Sequence, residues 1–306
     1  MNETADTVGQ FKENLTEEQF LASYHAGDYE KPSMTVDMLI FTVADEEASN
    51  YRRLPGKALK LLLVKRKEHP FLGQWALPGG FVRMNESLDD AARRKLREKT
   101  RITDVYMEQL YTWGDVDRDP RTRIISTSYM SLTDSSLLTT DPESNGLEGT
   151  WFTLSWQCVS ESKKRLDNGS VHQHQYKLDL VNDTNTAGAS LLLEKVSTGR
   201  NVRFSRTITE SHGIAFDHAG IIGYGIERLR SKLDYTDIAF NLMPDLFTLT
   251  ELQQVYEIIG GSELLKANFR RKITDKVIET NAYEKSAGHR PSKLFRFNPD
   301  WNATGE

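Results

Sequence analysis

Apolar residues in the first half of the chain recur in the short runs that are typical of β-strands. Four segments have this character: 34–43 (MTVDMLIFTV), 59–66 (LKLLLVKR), 105–113 (VYMEQLYTW) and 122–132 (TRIISTSYMSL). Between them, residues 88–99 have the pattern of a helix. A short helix through Tyr24 is also expected, because Thr16 and Gln19 have the spacing of a capping box. Strands, one helix and further strands indicate an α+β fold.

Residues 157–212 are more polar, yet they contain three segments that resemble strands: 175–181 (QYKLDLV), 189–197 (ASLLLEKVS) and 202–209 (VRFSRTIT). We interpret this region as a β-rich insertion on the first domain. A disordered linker is the open alternative, because a long surface insertion costs little closure entropy. His172 and His174 share one strand face, but with no third ligand nearby they indicate a polar surface pair rather than a metal site.

The pattern becomes helical after Ile214. An apolar stripe with a spacing of three to four residues, typical of a core or dimer face, is formed by Ile222, Ile226, Leu229 and Leu233. Further on, Thr248 and Glu251 form a second capping box, which predicts a helix ending at Gly260-Gly261.

A second helix is predicted over 264–276 (LLKANFRRKITDK), with Leu265, Phe269 and Ile273 on one face. Two strand-like runs, 277–283 and 293–298, follow it and would form a hairpin joined by EKSAGHRPS. Helix, glycine turn, basic helix and hairpin is the layout of a winged helix-turn-helix domain.

Bulk properties narrow the class of protein. The 306 residues are enough for two domains, and the formal net charge of −5 excludes a uniformly basic surface. A single cysteine, Cys158, excludes an internal disulfide and favours a reducing compartment. No apolar run is long enough to cross a membrane and no signal-peptide pattern is present, so we expect a cytoplasmic protein without a membrane partner.

The charge changes locally near the C-terminus, where nine Lys/Arg face three Asp/Glu between Leu264 and Phe297. A basic run is by itself more often a solvated face, but its place in a helix-turn-helix layout favours DNA binding. The predicted DNA-binding residues are Thr250, Lys266, Asn268, Arg270, Arg271, Lys272, Arg290 and Lys293. Asn and Arg can reach base edges, whereas an Arg at the hairpin tip suits a narrow minor groove.

The segment 77–102 (LPGGFVRMNESLDDAARRKLREKTRI) resembles the Nudix hydrolase box. The matching residues, all at the spacing of that pattern, are Gly80, Glu86, Arg94, Leu96, Glu98 and Ile102. Two metal-binding glutamates of the pattern are replaced by Lys95 and Lys99. Mg²⁺ requires carboxylate and water oxygens, so we predict no metal, no cofactor and no hydrolysis. Arg101 also replaces a glycine of the pattern that suits a left-handed helix end.

The whole chain outside the insertion resembles the NrtR family of Nudix-related transcriptional regulators of NAD metabolism. The matching segments are TVDMLIFTV, LPGGFV, EQLYTWGDVDRDPRTRIIS, IAFDH, LDYTDIAFNLMP, FTLTELQQVYE, NFRRK and HRPSKLFRF. The resemblance implies a Nudix-like α/β/α sandwich with a β-rich insertion, followed by a winged helix. It further implies a homodimeric repressor that binds double-stranded operator DNA and senses a nucleotide effector, classically ADP-ribose.

Carried onto this sequence, the resemblance and the altered box predict a set of ligand-binding residues: Gly79, Gly80, Phe81, Arg94, Lys95, Glu98, Lys99, Arg118 and Arg121. A salt-bridged turn is the open alternative for the two last-named arginines. The predicted domains are 1–212 for the sensor, 213–240 for a connecting or dimerisation helix and 241–306 for the winged helix.

Competing hypotheses remain at this point. A pyrophosphatase that uses Glu86, Asp90 and Glu98 is the main alternative, although so few carboxylates amid lysines would bind metal weakly. A sugar is an alternative effector, since the insertion beside the pocket would reshape it. A metabolite-binding scaffold without DNA is the third hypothesis.

Overall fold

A computed structural model describes residues 15–46, 56–137, 149–284 and 291–301. Its contacts divide the chain into two units, Met1–Pro32 and Ser33–Glu306. The first unit contains helix α1 (Glu17–Ser23) and a short 3-10 turn (Ala26–Asp28). The N–H of Gln19 donates to the Thr16 hydroxyl at 3.2 Å, and the Gln19 side chain accepts from the Thr16 N–H at 2.9 Å. The predicted capping box and helix are therefore confirmed.

The second unit is built on a mixed sheet, to which the described residues contribute ten strands. These are β1 (Ser33–Asp45), β2 (Lys57–Lys65), β3 (Trp75–Ala76), β4 (Gly79–Phe81), β5 (Tyr106–Trp113), β6 (Ile124–Asp134), β7 (Gly149–Leu166), β8 (Gly169–Val181), β9 (Thr186–Thr198) and β10 (Asn201–His212). The order across the sheet is β10-β9-β8-β7-β2-β1-β6-β5, with β3 beside β2 and β4 beside β1. β1 and β6 run parallel, and the other pairs are antiparallel.

Helices cover both faces of this sheet. Alternate residues of β1 point to opposite sides: Met38 and Ile40 pack with α2 (Leu88–Thr100), whereas Leu39 and Phe41 belong to the cluster around α3 (His218–Lys232). Because β1 is buried on both faces, successive residues can be apolar, which explains the continuous apolar run of 34–43. The predicted α/β/α sandwich is confirmed. The short strands β3 and β4 were not predicted, because pairings of two or three residues leave no periodic pattern.

The region 157–212 is a set of antiparallel strands that continues the main sheet through β7 and β2. The β-rich interpretation is confirmed, and the alternative of a disordered linker is wrong. The polar stretch ESKKRLDNGSVHQHQ forms the ends of β7 and β8, joined by a tight turn after Leu166. Its strand character was missed because most side chains there are exposed or half-buried, so no apolar alternation remains.

The C-terminal region contains α4 (Leu249–Gly260), α5 (Lys266–Ile273) and the hairpin of β11 (Val277–Tyr283) and β12 (Lys293–Phe297). The winged helix is confirmed, including the capping box of α4 and its left-handed end at Gly261, with φ of 76°. One detail was wrong: Leu265 precedes α5 and is 74% exposed, whereas Phe269 and Ile273 are buried. A residue that precedes the first turn lies outside the face that the helix packs against the core.

One apolar cluster connects the sheet to the winged helix. It includes Phe152 on the sheet, Leu229 on α3 and Val255 on α4, and it continues to Phe269 on α5. The apolar stripe of α3 packs onto this chain's own sheet, with Ile222 and Ile226 almost fully buried. No helix of the described residues is long and apolar enough to span a membrane.

Candidate functional site

A pocket of about 300 Å³ opens beside β1 and β4, and its size is at the lower end for small-molecule sites. It brings together eight predicted ligand-binding residues that are scattered along the sequence: Gly79, Gly80, Phe81, Lys95, Glu98, Lys99, Arg118 and Arg121. The remaining lining includes Asp119 and residues that sequence reasoning missed: Thr35, Asp37, Arg66, Phe216 and His218.

Two glycines let the backbone approach its neighbours at the pocket wall. A Cβ on Gly79 would lie 2.4 Å from the Asp37 carboxylate and 2.6 Å from the Val36 carbonyl oxygen. A Cβ on Gly80 would lie 2.8 Å from Cε of Lys95. The contacts at Gly79 are shorter than a side chain tolerates, so glycine is needed there to pack β4 against β1, whereas at Gly80 glycine is favoured by its φ of 155°.

Helix α2 begins with a capping box in which Ser87 and Asp90 exchange hydrogen bonds. Arg94 is not among the residues that line the pocket. Its guanidinium donates to Glu86 at 2.9 Å, to Glu98 at 3.2 Å and to the Phe81 carbonyl at 3.3 Å. The hydrogen bond from Arg94 lowers the pKa of Glu86 to about 2. Arg94 thus ties the loop after β4 to α2.

The face of α2 that would hold metal in a hydrolase is cationic here. Lys95 Nζ lies 2.9 Å from Glu98 Oε2, and Lys99 lines the same pocket. Burial opposes ionisation of Glu98, but hydrogen bonds from Lys95 and Arg94 lower its pKa, so it remains a carboxylate. Two lysines and one glutamate therefore give this face a charge of about +1.

The carboxylates of the pyrophosphatase hypothesis are all engaged in other contacts. Glu86 pairs with Arg94, Asp90 bonds to Ser87, and Glu98 pairs with Lys95. Across residues 15–46, 56–137, 149–284 and 291–301, no group of three or more His, Cys, Asp or Glu is arranged to hold a metal ion. The donor set at this site suits an anion better than Mg²⁺.

A buried polar cluster forms the floor of the pocket. Arg118 is only 5% exposed and donates to both oxygens of Asp217 at 2.8 Å, while its Nη2 lies 3.6 Å from Asp37. Asp37 also accepts a hydrogen bond from the Ser126 hydroxyl at 2.6 Å. Arg118 therefore makes its salt bridges with distant residues on the pocket floor and not within a local turn.

His218 belongs to the same floor and is neutral. The Leu77 N–H donates to its Nδ1 at 2.9 Å, so that nitrogen carries the lone pair and the proton is on Nε2. Nε2 lies 3.7 Å from Asp37 Oδ1. Burial lowers the pKa of His218, which keeps the imidazole uncharged.

Aromatic rings and arginines form the mouth. Arg121 pairs with Asp119 at 2.8 Å, and its guanidinium carbon is 5.9 Å from the Phe81 ring and 5.8 Å from the Phe216 ring. The guanidinium carbon of Arg66 lies 4.7 Å from the same Phe216 ring. Phe216 has a φ of 55°, a conformation that costs about 1–3 kcal/mol for a non-glycine residue. Backbone strain of this kind is common at ligand sites.

The second candidate surface is the exposed side of α5. Phe269 and Ile273 face the core, so Lys266, Asn268 and Arg271 project to solvent. A groove between α4, α5 and the hairpin is lined by three further predicted residues: Thr250, Arg270 and Lys293. Three of the eight predicted DNA-binding residues therefore line one groove, and three more are exposed on α5.

The other two behave differently. Lys272 donates to Asp234 at 2.7 Å, and its ammonium lies 5.5 Å from the Tyr256 ring. Arg290 lies outside the described residues. Lys293, which lines the groove, is paired with Glu279 across the hairpin.

Comparisons with known proteins cover both surfaces. A family model described as the NrtR DNA-binding winged helix domain matches residues 239–297, and a model described as the NUDIX domain matches residues 45–173. The ADPR responsive transcriptional repressor NtrR of Acinetobacter baylyi is 33% identical over 285 residues, which cover 92% of this chain and 88% of that protein.

Solved structures give the same pairing of domains. A MutT/nudix family protein from Enterococcus faecalis has a TM-score of 0.64 at 28% identity, covering 93% of this chain and 94% of that one. NrtR of Shewanella oneidensis has a TM-score of 0.59 at 28% identity, with 87% and 94% covered. The same NrtR complexed with a 27mer DNA has a TM-score of 0.56 at 27% identity, with 88% and 95% covered.

Proposed function

This chain belongs to the NrtR family of Nudix-related transcriptional repressors, and we propose that it is a cytoplasmic, homodimeric repressor. Its winged helix binds operator DNA, and its Nudix pocket binds ADP-ribose without cleaving it. The sensor comprises residues 1–212, the connecting helix residues 213–240 and the DNA-binding domain residues 241–306. The pocket with two lysines where a hydrolase holds metal is the observation that carries the proposal.

The pocket suits a diphosphate for electrostatic reasons. Lys95, Lys99 and Arg121 stand around the cavity, and Phe81 and Phe216 add rings against which a base or ribose can pack. A metal ion is not needed to neutralise the phosphates, because the ammonium groups already occupy its side of the pocket. Without metal there is no activated water, so the ligand is held intact.

The DNA surface suits a duplex. Asn268 and Arg271 project from the outer side of α5, where they can reach base edges in the major groove, while Lys266 and Arg270 can contact phosphates. The relative solved with a 27mer DNA matches this chain over both domains, which supports the same use of the winged helix here. A homodimer would place two such helices on a palindromic site about one helical turn apart.

Three measurements on the purified chain test the proposal. Fluorescence anisotropy with labelled DNA from upstream of its own gene should show binding that changes when ADP-ribose is added. Isothermal titration should give the same ADP-ribose affinity in Mg²⁺ and in EDTA. Chromatography of the incubated nucleotide should show no AMP.

Each contrary result would refute a different part of the proposed function. Release of AMP in Mg²⁺ would establish the pyrophosphatase, and a strict Mg²⁺ requirement for binding would refute the role of the lysines. Binding of ADP-ribose without any DNA binding would leave a metabolite-binding scaffold. A response to a sugar in place of ADP-ribose would change the effector and keep the repressor.

A further inference from the structure

Helix α3 begins differently from α1, α2 and α4. Those three helices start with Thr16, Ser87 and Thr248, each in extended backbone and each accepting a hydrogen bond from the helix N-terminus. α3 starts with Asp217 at φ −88° and ψ 13°, and its side chain makes no capping hydrogen bond. Aspartate is among the most favoured capping residues, so its carboxylate is held by another partner.

That partner is Arg118 on the pocket floor. Nε and Nη2 of Arg118 each donate to one Asp217 oxygen at 2.8 Å, which occupies one full edge of the guanidinium. An arginine binds a phosphate through the same planar pair of donors that it offers to a carboxylate. A diphosphate that binds this edge of Arg118 would have to displace Asp217.

We propose, on the premise of the function above, that Asp217 is the residue through which pocket occupancy reaches the DNA-binding domain. While Asp217 holds Arg118, as in this structure, its side chain does not cap α3, and this arrangement is assigned to the protein without effector. A diphosphate that engages Arg118 releases the Asp217 carboxylate, which turns to cap the N–H groups at the start of α3. The two arrangements exclude one another because Asp217 has a single carboxylate.

The backbone at this point is suited to two states. Phe216, the residue before Asp217, has a φ of 55° and lines the pocket. Capping needs an extended residue, as Ser87 shows with ψ of 167°, so Asp217 must rotate about ψ when its carboxylate changes partner. That rotation would allow Phe216 to leave its strained backbone conformation.

The other end of α3 contacts the winged helix. Arg230 Nε donates to the Ile259 carbonyl at 2.8 Å, in the last turn of α4, and Nη2 donates to the Trp156 carbonyl at 3.1 Å. α3 is 15 residues long, which places its two ends about 22 Å apart. A helix of this length transmits displacement of one end to the other.

Close packing of α3 against the sheet and α4 prevents neighbouring side chains from compensating for a displacement of the helix. A Cβ on Gly223 would lie 2.7 Å from the Trp156 ring, so the α3 backbone rests directly on the sheet. The apolar cluster then runs without a break from Leu229 through Leu233 to Val255 of α4. Packed cores rearrange between discrete states rather than deform gradually, so α4 must follow α3.

Asp217→Asn separates the two roles of the side chain. Asparagine caps a helix as well as aspartate but lacks the charge that holds Arg118. Without ligand, this variant should bind operator DNA with the affinity of ligand-saturated wild type. It should also bind ADP-ribose more tightly, because Arg118 is already released from Asp217. Asp179→Asn, which breaks a surface pair with Lys177 on β8, is the matched control and should behave as wild type.

Arg230→Gln tests the transmission. It should keep both binding activities but lose their coupling, which is the ratio of operator Kd with and without ADP-ribose. That ratio is typically about 5- to 150-fold in allosteric proteins and should approach one in the variant. Arg228→Gln is the matched control two residues earlier, because Arg228 pairs with Glu108 of β5 at 3.3 Å.

Hydrogen exchange of the wild-type protein gives a readout that does not depend on any variant. ADP-ribose should slow amide exchange at Ala219, whose N–H would be capped by the released carboxylate, whereas the Gly220 N–H already donates to the Asp217 carbonyl at 2.9 Å. Unchanged exchange at Ala219, or full coupling in both Asp217→Asn and Arg230→Gln, would overturn the inference while the repressor function stands. A wild-type protein that binds neither ADP-ribose nor DNA would overturn both.

Discussion

The pocket face of α2 offers the sharpest test of a metal-free nucleotide site. Lys95→Glu changes one charge from +1 to −1 at the wall of the cavity. Two unit charges about 4 Å apart interact by roughly 1 kcal/mol in water, so a change of two units against one phosphate charge costs about 2 kcal/mol. That is a loss of affinity of about thirtyfold, and the loss is larger where the pocket excludes water.

The fold should tolerate this substitution. The new carboxylate would form a like-charge pair with Glu98 on the same helix, which costs only about 0.2–0.5 kcal/mol, so the thermal midpoint should change little. Arg97→Glu is the matched control, since Arg97 has the same charge on the same helix but is exposed and does not line the pocket. Any effect of net charge alone will appear equally in both variants.

The measurement is isothermal titration with ADP-ribose in EDTA, together with a melting curve for each protein. Lys95→Glu should lose about thirtyfold in affinity and Arg97→Glu should bind almost as tightly as wild type. Equal weakening in the two variants would mean that only the long-range field of the protein matters. Unchanged affinity in Lys95→Glu would refute the placement of the phosphates against this helix.

Three further predictions concern the rest of the molecule. Arg271→Ala should weaken operator binding and reduce the slope of affinity against salt in an anisotropy titration, whereas Lys272→Ala should have a smaller effect, because its ammonium is engaged by Asp234. The pKa of His218 is lowered by burial, so the unfolded state binds a proton more readily. The free energy of unfolding should therefore fall as pH drops below about 6.5 in denaturant titrations, and His218→Asn, which keeps an acceptor for the Leu77 N–H, should reduce that slope. Arg101 adopts the left-handed conformation at the end of α2, with φ of 59°. Arg101→Gly should therefore raise the free energy of unfolding by up to about 1 kcal/mol and the thermal midpoint by a few degrees. A lower midpoint would mean that contacts of the arginine side chain stabilise the fold by more than the backbone strain costs.

The sequence determined the elements whose cause is local. Capping boxes at Thr16, Ser87 and Thr248 place helix starts because the bonds they make span only three residues. The apolar run of 34–43 identifies the central strand because both of its faces are buried. The spacing of the altered box likewise places Lys95 and Glu98 on one face of a helix, whatever the helix packs against.

Tertiary structure alone decided which side chains meet. Arg118 and Asp217 are 99 residues apart, and nothing in either segment shows that they would share two hydrogen bonds. His218 likewise reaches the Leu77 N–H, 141 residues away. In the sequence, Lys272 cannot be distinguished from the other basic residues of the DNA-binding helix, and only the packing of α5 brings it within hydrogen-bond distance of Asp234. Contacts between distant segments depend on how the sheet and its helices stack. The spacing of apolar residues within a strand or a helix therefore cannot predict them.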